Sequence, residues 1–319
     1  MHTIGFMFPG QGSQRVGMGR DLAELHPDLV DAYYRPAEEI LGLPLSRLCW
    51  EGPAEDLQDT SVTQPAVFLT SLVTLEALDR RGLRPGLVAG HSLGEFAAMV
   101  SAGLLDWRDA LRLVALRGRL MATVNERVPG AMAAVMGLDP HRVEELCAAT
   151  AAESGRVVEV ANDNGPDQVV VSGETGAVER LAEASRAAGA RRVVHLKVGA
   201  PFHCSLMRTI EEDFARALGD VPFHEPTGVM ISSVTAEPVR SADEAAGLLR
   251  RQLTGRVRWT ETVTRMAREG ADRFVEVGPG KVLDGLCRRI LPEAPVFTTQ
   301  DVARCDAASD ALGASADVV

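Results

Sequence analysis

Ser92 stands in the run Gly90-His91-Ser92-Leu93-Gly94, a G-x-S-x-G spacing. A short apolar segment, 86–89, precedes it, and a small-residue segment that reads as a helix, 95–101, follows. The five-residue pattern alone also fits a tight glycine turn. The strand-before, helix-after context makes it a nucleophile elbow, with the serine on a strained turn and the Leu93 amide placed as an oxyanion donor. The helix N-terminus favours the negative charge that develops when a serine attacks an acyl carbon. A serine hydroxyl needs a base. Of the seven histidines, His91 adjoins the nucleophile but is turned elsewhere by the sharp bend. His2, His26, His141 and His224 lie in polar or terminal settings expected at the surface, and His195 lies within a strand pattern. His203 closes the loop Gly199-Ala200-Pro201-Phe202-His203 just before a helix and is the candidate. No Asp or Glu marks itself as a third member, so what orients His203 stays open.

Arg117 lies in Leu-Arg-Gly-Arg-Leu, on a helix otherwise apolar at Leu113, Val114, Leu116 and Leu120. An inward arginine must find a partner, because an unpaired buried charge costs several kcal/mol, and a guanidinium matches a carboxylate bidentately. Arg112 and Arg119 on the same segment read as exposed or structural charges. Gly10-Gln11-Gly12-Ser13-Gln14 follows the first strand. Arg15 stands where a dinucleotide fingerprint needs its third glycine, so a turn exposing amides beside an active site is the better reading. Cys204, next to His203, reads as a packed thiol, and Glu211-Glu212-Asp213 as a solvated helix face.

Strand and helix patterns alternate around these residues. Strands are expected at 3–8, 86–89, 229–232 and 273–277, and helices at 65–78, 95–101 and 107–121. That alternation predicts an α/β fold with a parallel sheet. The stretch 131–197 reads βαββαβ, a ferredoxin-like order suited to an insert in a larger domain. Its middle strands, 157–161 and 168–172, flank an expected Asn-Asp-Asn-Gly-Pro turn. The expected division is a discontinuous core, 1–128 and 198–300, a small subdomain, 129–197, and a loosely ordered Ala/Ser/Asp-rich tail, 301–319.

The 319 residues carry a net charge of −11, which argues against nucleic acid as a partner. An anionic substrate must therefore meet a local cluster of cations. No apolar run suggests a membrane helix, and the N-terminus has no basic leader, so no membrane association is expected. The five cysteines, an odd count without metal-ligand spacing, point to reduced thiols, no metal and a cytoplasmic location.

Several ordered motifs together resemble the malonyl-CoA:acyl carrier protein transacylases, both stand-alone enzymes and polyketide synthase acyltransferases. These are Phe8-Pro9-Gly10-Gln11-Gly12-Ser13-Gln14, Thr63-Gln64-Pro65, Gly90 to Glu95, Arg117-Gly118, Ala200-Pro201-Phe202-His203, Gln252-Leu253 before Val257-Arg258-Trp259, and Glu276-Val277-Gly278-Pro279-Gly280. The match covers about residues 3–290. The resemblance implies an α/β-hydrolase-like core with a ferredoxin-like insert. It implies Ser92 as nucleophile, His203 as base held by a main-chain carbonyl near Gln252, and Gln11 and Leu93 amides as the oxyanion hole. Arg117 would hold the malonyl carboxylate, and Phe202 would leave little room for an α-methyl branch. The implied reaction is ping-pong: coenzyme A thioester as substrate, no permanently bound cofactor, and delivery to the phosphopantetheine thiol of an acyl carrier protein. The implied pathway is fatty acid or polyketide biosynthesis, and a monomer is expected. Lys281, Arg288 and Arg289, then Lys197 and Arg208, are the expected docking cations for an acidic carrier protein. An editing acyl hydrolase, a transferase for an unusual acyl group and a non-catalytic docking module are the competing readings.

Overall fold

The computed structural model describes residues 2–313. Its main sheet has five parallel strands in the order β10-β9-β1-β2-β7: β1 (Ile4–Phe8), β2 (Leu87–Gly90), β7 (Val229–Ile231), β9 (Arg273–Glu276) and β10 (Val296–Thr298). β1 and β2 are buried almost throughout, which is why they read as continuous apolar runs instead of alternating ones. Helices cover both faces. The helix Thr60–Asp79 is long and apolar enough to cross a membrane by length and composition, yet most of it is packed inside the core. It begins five residues before the expected start at Pro65, because Asp59 caps it by accepting from the Ser61 amide.

The second sheet runs β6-β3-β5-β4-β8, with β3 (Gly130–Met136), β4 (Val158–Gly165), β5 (Gln168–Glu174) and β6 (Arg192–His195) antiparallel. With helices Pro140–Ser154 and Thr175–Ala187 between them, these four strands have the ferredoxin-like order. β8 (Val257–Arg258) arrives from the core part of the chain and pairs in parallel with β4 at Asn162 and Asp163. That pairing explains a correction: Asn162 to Gly165 continue the strand, where the Asn/Asp/Gly composition suggested a turn. The turn itself falls at Pro166-Asp167.

The tail expectation also fails over its first part. Val302–Leu312 is a helix capped by Asp301, with Cys305, Ala308 and Ser309 buried. Small residues packed against a neighbouring surface look the same in composition as a disordered tail. Residues 314–319 lie outside the described residues.

Candidate active site

Ser92 follows β2 and precedes the helix Gly94–Ser101, with φ of 52°, in the left-handed region. Both flanking glycines are demanded by backbone approach. A Cβ on Gly90 would meet the Gly94 carbonyl carbon at 2.1 Å, and one on Gly94 would meet the Phe8 oxygen at 2.0 Å. The turn is therefore wedged between its own helix and β1, and the serine is held in a conformation that side chains rarely adopt.

His203 also has positive φ, 57°, and is buried. Ser92 Oγ–H donates to its Nε2 at 2.6 Å. Its Nδ1 faces the carbonyls of Gln252 at 3.0 Å and Gly255 at 3.1 Å. Carbonyls only accept, so Nδ1 carries the proton and Nε2 is free to take one. Burial, then the Arg117 charge, pushes the His203 pKa down to about 3, so the ring is neutral at rest. Among the described residues no carboxylate is bonded to it. Two main-chain oxygens, 49 and 52 residues away, face its Nδ1 instead.

Arg117 is 2% exposed, on the helix Trp107–Arg127. Gly118 beside it lets that helix close on Thr60, where an added Cβ would come within 2.8 Å of the Thr60 carbonyl. Nη1 donates to Gln64 Oε1 at 2.8 Å, and Nη2 to Gln252 Oε1 at 2.9 Å and to Ser92 Oγ at 3.2 Å. Nε is buried without a partner. Burial lowers the Arg117 pKa to about 10, which leaves it charged at neutral pH. Arg112 instead pairs with Asp109 at 2.8 Å, and Arg119 is exposed.

Leu93 is buried at the start of its helix, and Gln11 lies in the loop after β1 with its side chain donating to Thr60 Oγ1 at 3.2 Å. Neither main-chain amide has an acceptor among the described residues. Phe202 is 7% exposed, directly before His203. His91 is turned away from Ser92 Oγ; its Nε2 meets Asn164 Oδ1 at 2.8 Å and its ring packs edge-on against Trp259. Cys204 is buried, and burial raises its thiol to about 11, as expected of a packed residue. His26 is partly exposed. Among the described residues no group of three or more His, Cys, Asp or Glu could hold a metal ion.

Sequence reasoning missed the roles of Gln64, Glu95 and the Gln252 side chain. Gln252 accepts from Arg117, donates to the Ser92 carbonyl at 2.9 Å and donates to Glu95. Glu95 had a signal: it is a charged residue in an otherwise apolar, small-residue helical run. The docking candidates separate. Arg288 is tied to Asp284 and to the Val296 carbonyl, and Arg289 donates to the Gly285 carbonyl. Lys281, Lys197 and Arg208 are exposed and have no ion pair among the described residues. Lys281, Arg288 and Arg304 line one cleft of about 240 Å³. Lys197 and Arg15 line another of about 260 Å³.

The site can thus acylate a serine, with a neutral imidazole to take its proton and a fixed cation 3.2 Å from the nucleophile. Comparison with known proteins agrees. The family model described as "Acyl transferase domain" matches residues 5–309. The chain is 41% identical over 314 residues to a malonyl CoA-acyl carrier protein transacylase of Haemophilus influenzae, covering 98% of this chain and all of the relative. An acyl carrier protein S-malonyltransferase of Vibrio cholerae superposes with a TM-score of 0.91 at 40% identity, over 96% of this chain and 99% of that one. A malonyl-transacylase solved in complex with its type II PKS acyl-carrier protein gives 0.92 at 39% identity, over 97% and 99%. The chain is therefore a member of the acyl transferase domain family, among the relatives that bear the name malonyl CoA-acyl carrier protein transacylase.

Proposed function

We propose that this enzyme moves a malonyl group from coenzyme A onto Ser92 and then to the phosphopantetheine thiol of an acyl carrier protein, in fatty acid or polyketide biosynthesis. The observation that carries the malonyl reading is Arg117: a buried guanidinium within reach of Ser92 Oγ, with two amide oxygens but no carboxylate bonded to it. A planar cation so placed is an incomplete pair, and the free carboxylate of a malonyl group completes it.

In this reading, His203 takes the Ser92 proton through Nε2 as the hydroxyl attacks the thioester carbon. The Gln11 and Leu93 amides, free of internal acceptors, hold the developing oxyanion. Collapse expels coenzyme A as the thiol, which takes the proton back from His203. The carrier thiol then gives its proton to His203, attacks the acyl-serine and leaves with the malonyl group, and Ser92 recovers its proton. Phe202 narrows the pocket against an α-methyl branch, a discrimination worth about 1–3 kcal/mol. The small strands of 129–197 act as a subdomain set on the core of 1–128 and 198–300. The enzyme works as a monomer in the cytoplasm, a setting in keeping with its five buried free thiols. The carrier docks on the cations beside the Gln11 loop that have no partner, Lys281 and Lys197 first, with Arg304 joining them; Arg15, held by the Gln300 carbonyl, and Arg289, held by the Gly285 carbonyl, are set aside.

Intact-mass analysis after incubation with malonyl-, methylmalonyl- and acetyl-CoA tests the reading. A malonyl adduct that a carrier protein removes faster than water does is the expected result. An adduct that water removes equally fast makes the protein a hydrolase.

A further inference from the structure

Glu95 is a fully buried carboxylate three residues after Ser92, with 0% exposure in the first turn of the helix Gly94–Ser101. Its Oε1 accepts from Ser232 Oγ at 2.7 Å and from the Ser233 amide at 2.9 Å. Its Oε2 accepts from Ser233 Oγ at 3.1 Å and from Gln252 Nε2. The two serine hydroxyls can reverse their direction, but a main-chain N–H cannot. Both oxygens therefore face a donor: the Ser233 amide on one side and the Gln252 amide nitrogen on the other. A group whose oxygens accept on both sides fits, as a carboxyl group does and an amide does not. Burial pushes its carboxyl upward, and the serine and Gln252 donors oppose the shift.

The consequence runs through one amide. Gln252 Nε2 is shared between Glu95 and the Ser92 carbonyl, so Oε1 is left to face Arg117 Nη2 at 2.9 Å. An amide in place of Glu95 must keep its oxygen on the Ser233 N–H, which sets its NH₂ against the NH₂ of Gln252. Gln252 then turns, or the two groups part. A turned Gln252 presents its NH₂ to a guanidinium that already has one unpartnered buried nitrogen. Glu95 is also the negative charge that acts on Arg117 across the site.

We infer that Glu95 is a positioning residue for carboxylate recognition: acting through the Gln252 amide, it keeps Arg117 aimed at Ser92. This rests on the malonyl reading above. The Gln252 main-chain carbonyl that holds His203 does not depend on which way the side-chain amide faces, so the polarity relay and the base are separable.

The test compares single-turnover loading from malonyl-CoA and acetyl-CoA with labelling of Ser92 by a fluorophosphonate, which reports the fold and the Ser92–His203 pair. In Glu95→Gln, nearly the same size as the wild-type side chain, the malonyl-to-acetyl ratio is expected to fall about 10- to 100-fold, the range for one lost charge-assisted hydrogen bond. Fluorophosphonate labelling is expected to fall far less. Glu95→Asp keeps an acceptor-only group and should hold a ratio nearer the wild type than Glu95→Gln. Gln252→Ala removes the relay and should reproduce the loss of ratio with Glu95 intact, which keeps the idea testable if Glu95→Gln does not fold. Equal falls in malonyl loading, acetyl loading and labelling, an unchanged ratio, or a lower ratio in Glu95→Asp than in Glu95→Gln each overturn the inference. A wild-type enzyme that loads acetyl but no malonyl sinks the functional reading instead, and the two failures are distinct.

Discussion

The elbow at Gly90–Glu95 and the turn at Gln252–Gly255 meet across the same active site, yet they are built in opposite ways. The elbow is local. Two glycines four residues apart, a strand before and a helix after place Ser92, and the contacts that require each glycine involve the turn's own helix and the adjacent β1. The turn is non-local: it supplies main-chain oxygens to His203, 49 and 52 residues away, and a side-chain amide to Arg117, 135 residues away. Main-chain acceptors are present in every residue type, so a carbonyl that holds a side chain leaves no mark in composition. The comparison teaches that the placement of Ser92 is a property of one segment, while the partners of His203 and Arg117 are properties of the packing.

Breaking the elbow should have the largest effect. Ser92→Ala is expected to give no acyl adduct with any coenzyme A thioester. A malonyl mass on that variant would move the nucleophile elsewhere.

Breaking the link between elbow and turn comes next. His203→Ala should slow both half-reactions by about 10²–10⁴-fold, the usual loss for a general base. Near-normal transfer by stopped-flow would send the base assignment to His91.

Arg117→Ala sharpens the charge-recognition half of the comparison. Removing one partner of a buried ion pair costs about 3–5 kcal/mol, largely through the stranded charge. Malonyl transfer should collapse by that measure while acetyl loading holds or rises. If both fall by one factor in a folded variant, Arg117 is structural.

The buried, neutral state of His203 should also show in stability. Its pKa is lowered from 6.5 to about 3, chiefly by burial. Below 6.5 the unfolded chain takes up a proton that the folded one refuses, so folding loses free energy as pH falls. The stability difference between wild type and His203→Ala should shrink by up to about 1.4 kcal/mol per pH unit between those values. Taking the difference removes the opposing contribution of Glu276, whose buried carboxyl is raised to about 7. A constant difference in denaturant midpoints across that range would mean the ring is solvated.

The smallest effect is expected at the surface. Lys281→Glu should raise the KM for carrier protein severalfold and leave coenzyme A kinetics unchanged, since exposed charges act mainly on encounter. Arg289→Glu serves as the control, because that side chain already caps the Gly285 carbonyl. Equal effects of the two would place docking elsewhere.

What the amino-acid sequence determined alone is the part set by short-range pattern. Apolar runs and helical spacing determine the α/β alternation, and glycine spacing determines the elbow around Ser92; for Arg117 the sequence offers an inward position, and the packing decides it. The tertiary structure decided the rest. It drew Asn162–Gly165 into a strand, because β8 from a distant part of the chain pairs there against local turn chemistry. It ordered Val302–Leu312, whose small residues gain a surface to pack on only after the core exists. It gave His203 carbonyls in place of an acid, made Gln252 the junction of Arg117, Ser92 and Glu95, and separated Lys281 from Arg289 as surface cations. The physical reason is common to the contacts of His203 and Gln252. A hydrogen-bonding group takes its partner from whatever packing brings within about 3 Å, and across 49 to 160 residues of chain no local rule carries that information.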